Sequence, residues 1–359
     1  MNRMPRGLRL PVRELCLLAL GALGTLQSRP LAGATATALR QLGEPPAAET
    51  VEAQTCGRQF ESRDYVAARD CFERYLGAHP TDAAAMGTLG RTCLALRRPW
   101  RAVHWLEEAT RREPARSELH DWLAQAYGTA AERAGVLHQF GLAIKARKQF
   151  ERAVELDPAN LDAREDLIEF QIEAPGFLGG SAERARANAA DLESRDRLRG
   201  RLAQGSIDLR NLGLAGAERE MLQTAAEFPA DPRPRLALGA AYARAGRYDR
   251  AFESLESALR LDPDGGDEAL ELARTAVLAG QRLDRAAELL RAGLKRLPPG
   301  DPAALADTHQ ALGAVLEKQG DAEHALHHYR TAVRLDPDLP PAREALRRLE
   351  PLAARRGNP

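Results

Sequence analysis

Charge of one sign is missing from this sequence. Its 359 residues carry 51 basic and 51 acidic side chains, a formal net charge of zero, so no whole-molecule field draws it to nucleic acid or to an anionic membrane. Aromatic residues are scarce, at 5%, whereas alanine, leucine, arginine and glutamate abound, a composition that suits helices. Lysine is rare beside arginine, which points to a GC-rich genome and hence a bacterium. The signatures of common chemistries are missing as well. There is no Gly-rich phosphate loop, no G-x-S-x-G elbow and no H-E-x-x-H pair. Without a C-x-x-C, neither thiol exchange nor a thiolate zinc site has support.

Long apolar runs are lacking too. The stretch from Leu15 to Leu26 is about a dozen residues, short of the roughly 20 that a membrane-spanning helix needs. It follows Arg3, Arg6, Arg9 and Arg13 and precedes Ala32-Gly33-Ala34-Thr35-Ala36. A charged start, a short apolar core and an A-x-A end predict a secretory signal peptide over 1–34, cleaved after Ala34 or Ala36. Residues 35–48, with Pro45-Pro46, read as a linker. Export implies an oxidising compartment. Cys56, Cys71 and Cys93 would remain after cleavage. Either one bridge joins Cys71 or Cys56 to Cys93 of the neighbouring repeat, or all three are small buried side chains.

What the sequence does contain is repetition. Ala153-Val154-Glu155-Leu156-Asp157-Pro158, Ala258-Leu259-Arg260-Leu261-Asp262-Pro263 and Ala332-Val333-Arg334-Leu335-Asp336-Pro337 nearly copy one another, each reading as the end of an amphipathic helix stopped by proline. Equivalent prolines fall at Pro80, Pro114, Pro229 and Pro298, and the step from Pro80 to Pro114 or from Pro229 to Pro263 is 34 residues. Ahead of Pro263 stand Leu238-Gly239, Tyr242, Gly246, Tyr248, Ala251, Leu255 and Ala258. Ahead of Pro337 stand Leu312-Gly313, Leu316, Gly320, Ala325, Tyr329 and Ala332, and ahead of Pro114 stand Leu89-Gly90, Cys93, Ala102, Leu106 and Ala109. In period and in these positions the chain resembles the tetratricopeptide-repeat family from about residue 49 to 339.

That resemblance implies an all-α fold, a right-handed α-solenoid of about eight helix-turn-helix units near 49–82, 83–116, 117–160, 161–197, 198–231, 232–265, 267–300 and 306–339. A capping helix over 340–354 and a loose tail over 355–359 complete it. The chemistry of the positions is simple. Gly or Ala near the middle of each first helix, and Ala such as Ala102, Ala251 and Ala325 in the second, let the two helices approach closely. Gly246 and Gly320 supply the left-handed backbone that ends a first helix. The Asp of each Leu-Asp-Pro ends the second helix and is expected to cap the start of the next. One unit cannot bury its apolar face alone, so units must stack. The third unit has about ten extra residues over Gly128 to Lys145, rich in alanine and free of proline, which predicts two lengthened helices. In the fourth, Pro175 to Ser181 reads as a loop, with Ser181 the N-cap of a helix over Ala182 to Leu192.

In the family, the first helices line a groove that takes a protein or peptide segment. Carried over position by position, the groove residues are Arg91, Glu118, Asp121, Gln125, Asp162, Glu165, Glu169, Arg233, Arg244, Glu268 and Glu271, a mixed set with an acidic middle that favours a basic or amphipathic segment. The carboxylate-clamp subtype is disfavoured, because its Asn position is filled by Gly57, Arg91, Gln125, Glu169, Ser206, Ala240, Thr275 and Ala314. His324 and His328 have metal-ligand spacing but read as a solvated cluster with His327. Glu151 and Glu155, and likewise Asp162, Glu165 and Glu169, read as mostly solvated carboxylates with i,i+4 partners. No catalytic residue, metal or cofactor is expected. The leading reading is a non-enzymatic scaffold, periplasmic or secreted, that meets membrane only through its signal peptide. The alternative is an accessory module that holds an enzyme or polymer for envelope polysaccharide or cofactor biosynthesis.

Overall fold

The computed structural model describes residues 47–356; the expected signal peptide, most of the linker and the last three residues lie outside them. All regular structure among the described residues is helical. The helices follow as α1 (Ala47–Glu61), α2 (Tyr65–Ala78), α3 (Ala83–Ala95), α4 (Pro99–Arg112), α5 (Ser117–Arg133), α6 (Val136–Leu156) and α7 (Leu161–Glu173). After a short 3-10 turn (Gly176–Leu178) come α8 (Ala182–Arg195), α9 (Arg197–Glu227), α10 (Arg233–Arg244), α11 (Tyr248–Leu261), α12 (Gly266–Ala279), α13 (Leu283–Arg296), α14 (Pro302–Lys318), α15 (Ala322–Leu335) and α16 (Pro340–Arg356). None of them is long and apolar enough to cross a membrane.

The chain divides into two compact units, one ending at Glu220 and the other beginning at Met221. In the first, Leu89, Leu106, Leu119, Phe150 and Phe170 are buried in one core that runs from α1 to the 3-10 turn. In the second, Phe252, Leu255, Leu272, Leu290, Leu312 and Tyr329 form another, which Ala342, Ala345 and Leu349 of α16 close. Within a hairpin the small residues set the distance between helices. A Cβ added at Gly90 would lie 2.4 Å from Leu106 Cγ, and one at Gly239 would lie 2.5 Å from Leu255 Cγ. The first helix of a pair ends in left-handed backbone at Gly246 (φ 71) and Gly320 (φ 86), which glycine adopts at no steric cost. Arg63 and Arg97 take the same conformation in the first two hairpins, at φ 63 and 54.

Two expectations change. The aspartates of the Leu-Asp-Pro ends do not cap the following helix. Asp157 and Asp336 accept instead from amides two residues on, Ala159 N at 2.9 Å and Asp338 N at 3.1 Å. An N-cap must stand directly before the first helical residue, and after Pro158 that place belongs to Asn160, which accepts from Ala163 N at 3.1 Å. The cysteine pairing also differs. Cys56 of α1 is bonded to Cys71 of α2, with Cα atoms 5.3 Å apart, while Cys93 is a buried thiol. Cys56 holds the close-approach position that Gly90 and Gly239 fill in later hairpins, so its partner lies in its own hairpin rather than in the next. The stretch expected as a degenerate fifth unit keeps two helices, joined across a kink rather than by a longer loop. Arg197–Glu227 is broken only at Gly213, where φ is 70 and ψ −174. The third hairpin has 17-residue and 21-residue helices in α5 and α6, and Ser181 caps α8 by accepting from Arg184 N at 3.2 Å.

Candidate functional site

In the first unit, one face of α1, α3, α5, α7 and α9 gathers polar side chains above the apolar core. Arg91 of α3 lies between two rings, its guanidinium carbon 4.8 Å from the centroid of Phe60 on α1 and 4.6 Å from that of Trp122 on α5. Cation–π contacts of this kind strengthen as water is excluded. Burial pushes the Arg91 guanidinium below its ordinary value, against the pull of Glu61, Tyr65 and Asp121. One turn along α5, Gln125 donates from one amide nitrogen to Asp121 Oδ2 at 3.1 Å and to Asp166 Oδ2 of α7 at 2.8 Å. On α7, Asp162 and Glu165 converge on Arg199 of α9, at 2.5 and 2.7 Å from its Nη2. Glu165 is 9% exposed and Arg199 5%. Glu169 is half-buried farther along α7, and Glu118 stands 3.7 Å from Arg116.

The structure thus assembles Arg91, Asp121, Gln125, Asp162 and Glu165 on one surface, but it corrects the character of the acidic middle. Arg199 is set into it, so Asp162 and Glu165 form part of a buried ion network rather than an open anionic patch. Four members escaped the sequence reading, Trp122 among them, which stands one residue past the groove position of Asp121. Arg199 and Phe60 stand at groove positions of the fifth and first hairpins, which the position rule reaches once it is applied to degenerate and terminal units. Asp166 lies off those positions, and nothing in the sequence marks it.

The second unit carries the other predicted residues. Arg233 is held by Asp231 through two hydrogen bonds, at 2.8 and 2.6 Å. Arg244 is exposed at the end of α10. Glu271 pairs with Arg274 at 2.5 Å. Glu268 is wholly buried, and neither carboxylate oxygen makes a hydrogen bond of ordinary geometry. Its carboxyl lies over the α12 N-cap, where a Cβ on Gly265 would come within 2.2 Å of Oε2. Burial first, then Asp267, Asp262 and Asp231, raise it to about 7, with only its own amide N–H pulling the other way.

The sign of that shift sets a pH dependence. Between the ordinary carboxyl value of 4.5 and about 7, the folded chain keeps a proton that the unfolded chain has released. The ionisation of Glu268 therefore costs nothing below pH 4.5, and that penalty grows through the window and persists above it. Glu268→Gln removes the charge but leaves an amide that still wants partners. It should stabilise the protein by about 1–2 kcal/mol at pH 8 and leave stability unchanged at pH 4, as read from urea titrations at the two pH values.

His324 and His328 turn to different partners. His324 turns to Asp321, with Nδ1 2.9 Å from a carboxylate oxygen. His328 is half-buried rather than solvated, its Nδ1 2.8 Å from that of His309 on α14, with the rings stacked. Among the described residues no group of three or more His, Cys, Asp or Glu is arranged to hold a metal. Glu151 and Glu155 sit within ion-pair reach of Arg147, Arg184 and Arg152.

Comparison with known proteins agrees with this architecture. Sequence models described as tetratricopeptide repeat match residues 59–126, 234–264 and 306–339, so the chain carries tetratricopeptide repeats in those segments. No curated protein matches the chain. Among solved structures, yeast Tom70 superposes with a TM-score of 0.64 at 14% identity, over 89% of this chain and 66% of that one. The present chain therefore spans less than two thirds of that protein, and the likeness is one of fold. A thermophilic TPR protein of Thermus thermophilus is 20% identical over 64% of this chain and 99% of its own, with a TM-score of 0.44. A tetratricopeptide repeat protein from Parabacteroides merdae is 13% identical over 84% and 98%, at 0.43.

Proposed function

We propose that this chain is a non-enzymatic scaffold, exported to the bacterial envelope, which binds a protein or peptide segment on the first-helix face of its first unit. Tetratricopeptide folds generally mediate protein–protein contact. The observation that carries the reading here is the continuous run Phe60–Arg91–Trp122–Gln125–Asp166, in which every polar group is oriented by a neighbour and Trp122 is left half-buried. A surface of pre-positioned polar groups beside an aromatic floor loses little conformational entropy on binding. Around Gln125 the side chains Asp121, Asp162, Glu165, Asp166 and Glu169 outnumber the cations Arg91 and Arg199, which favours a basic or amphipathic segment. Export is supported by the arginine-rich start, the short apolar run and the A-x-A end, and a Cys56–Cys71 bond fits an oxidising compartment.

The test places a photo-crosslinker at Trp122 in the native host. One discrete protein adduct, lost when Glu169→Lys is added, is the expected result. Adducts on glycan alone would favour the accessory reading, and a mature N-terminus at Met1 would overturn export.

A further inference from the structure

A second surface lies on the 3-10 turn between α7 and α8. Phe177 there is 73% exposed, although nothing about the turn is loose. Leu178 beside it is buried in the core. Gly179 sits at φ 107, and the Gly180 and Ser181 amides donate to Pro175 O at 3.0 Å and Gln171 O at 2.9 Å. Gly180 is packed so closely on Ala174 that an added Cβ would fall 1.7 Å from its carbonyl oxygen. A turn this constrained has no slack with which to bury the ring, so Phe177 is held out in water at a cost the fold does not recover.

Phe177 does not stand alone. Its ring centroid is 6.0 Å from that of Phe140 on α6, and Ile144, one turn on, is 38% exposed. The same stripe of α6 continues into Arg147 and Lys148. Lys148 is exposed and forms no ion pair among the described residues. Arg147 lies 4.0 Å and Arg184 3.6 Å from Glu151, which they share, and the buried Nε–H of Arg147 donates to nothing. Three cations against one carboxylate leave the rim positive.

We infer that this apolar step with its cationic rim docks an acidic peptide segment of a partner protein, one that brings an aromatic or aliphatic side chain onto Phe140, Phe177 and Ile144 and a carboxylate to Lys148 and Arg147. Rigid presentation of a protruding aromatic is the character of an interface anchor. Three apolar side chains bordered by charged groups, Glu151 among them, suit a peptide better than a lipid surface. This surface is separate from the groove residues, so it extends the scaffold reading and can fail without it.

The test is peptide display on the immobilised full chain, followed by titration of the enriched peptides. Enrichment of peptides that combine Asp or Glu with Trp, Phe or Leu is expected. Their affinity should fall roughly tenfold or more with Phe177→Ser, and similarly with Lys148→Glu, while Glu169→Lys in the groove leaves it unchanged. Thermal melts of both variants should match the parent, since both sites are exposed. Enrichment of basic peptides, affinity indifferent to both substitutions, or Phe177-dependent binding to phosphatidylglycerol vesicles with no such peptide would each overturn the proposal.

Discussion

Arg199→Met should lower the free energy of unfolding by about 3–5 kcal/mol, the range seen when one member of a buried ion network is removed. The side chain is 5% exposed, and its Nη2 lies 2.5 Å from Asp162 and 2.7 Å from Glu165. Methionine fills a similar volume, so the loss comes from charge rather than from a cavity. Glu165, itself 9% exposed, would be left in a poorly solvated place without its counter-ion. The pairing also ties α7 to α9, so the loss should extend beyond one helix. Urea titration of the purified chain measures it. A triple variant, Arg199→Met with Asp162→Asn and Glu165→Met, separates the causes. It should recover most of the loss, because replacing a buried network by neutral groups of similar size is often near neutral. A triple variant as weak as the single one would mean that the packing of the arginine stem matters more than its charge.

The repeats were legible because the features that set hairpin geometry are themselves sequence features. That Gly90 and Gly239 mark close approach within a hairpin follows from their repeated positions and the resemblance these carry, whereas the side chains they meet, Leu106 and Leu255 rather than the expected alanines alone, emerge only from the structure. The cap at Ser181 was legible for the same local reason. What was not legible depends on partners distant in sequence. Arg199 belongs among Asp162 and Glu165 only because α9 packs beside α7, and its hairpin lacks the marks that would have aligned it. The half-burial of His328 follows from His309 on the facing helix, whereas a helical spacing rule had paired it with His324. Exposed Phe177 looked like part of an ordinary loop; that the loop has no freedom to hide it is a property of Gly180 against Ala174, which no composition reveals.

Removing the Cys56–Cys71 bond should cost about 3 kcal/mol, the loop-closure entropy of a cross-link that encloses roughly 15 residues; the two cysteines are 15 apart in sequence. The cost should be concentrated at one end of the array. Among the described residues the first hairpin has a neighbour on one side only, so there its stability rests on its own contacts and a single interface. Here α1 and α2 are joined where later hairpins rely on glycine. Cys56→Ser with Cys71→Ser should therefore do more than lower the melting temperature. Amide exchange across 51–78 should accelerate by about two orders of magnitude, as 3 kcal/mol requires, while exchange in α5 to α8 changes little. Cys93 offers an internal control. Burial pushes its thiol up to about 11, so it should resist alkylation in the parent, and any new reactivity in the double variant would report opening of the α2–α3 interface. The groove should respond as well, because Phe60 on α1 is one of the two rings that hold Arg91. If α1 frays, Arg91 keeps only Trp122, and a segment bound there should dissociate faster without any contact residue having been changed. Equal stability and equal exchange in the parent and the double variant would show that the first hairpin needs no staple.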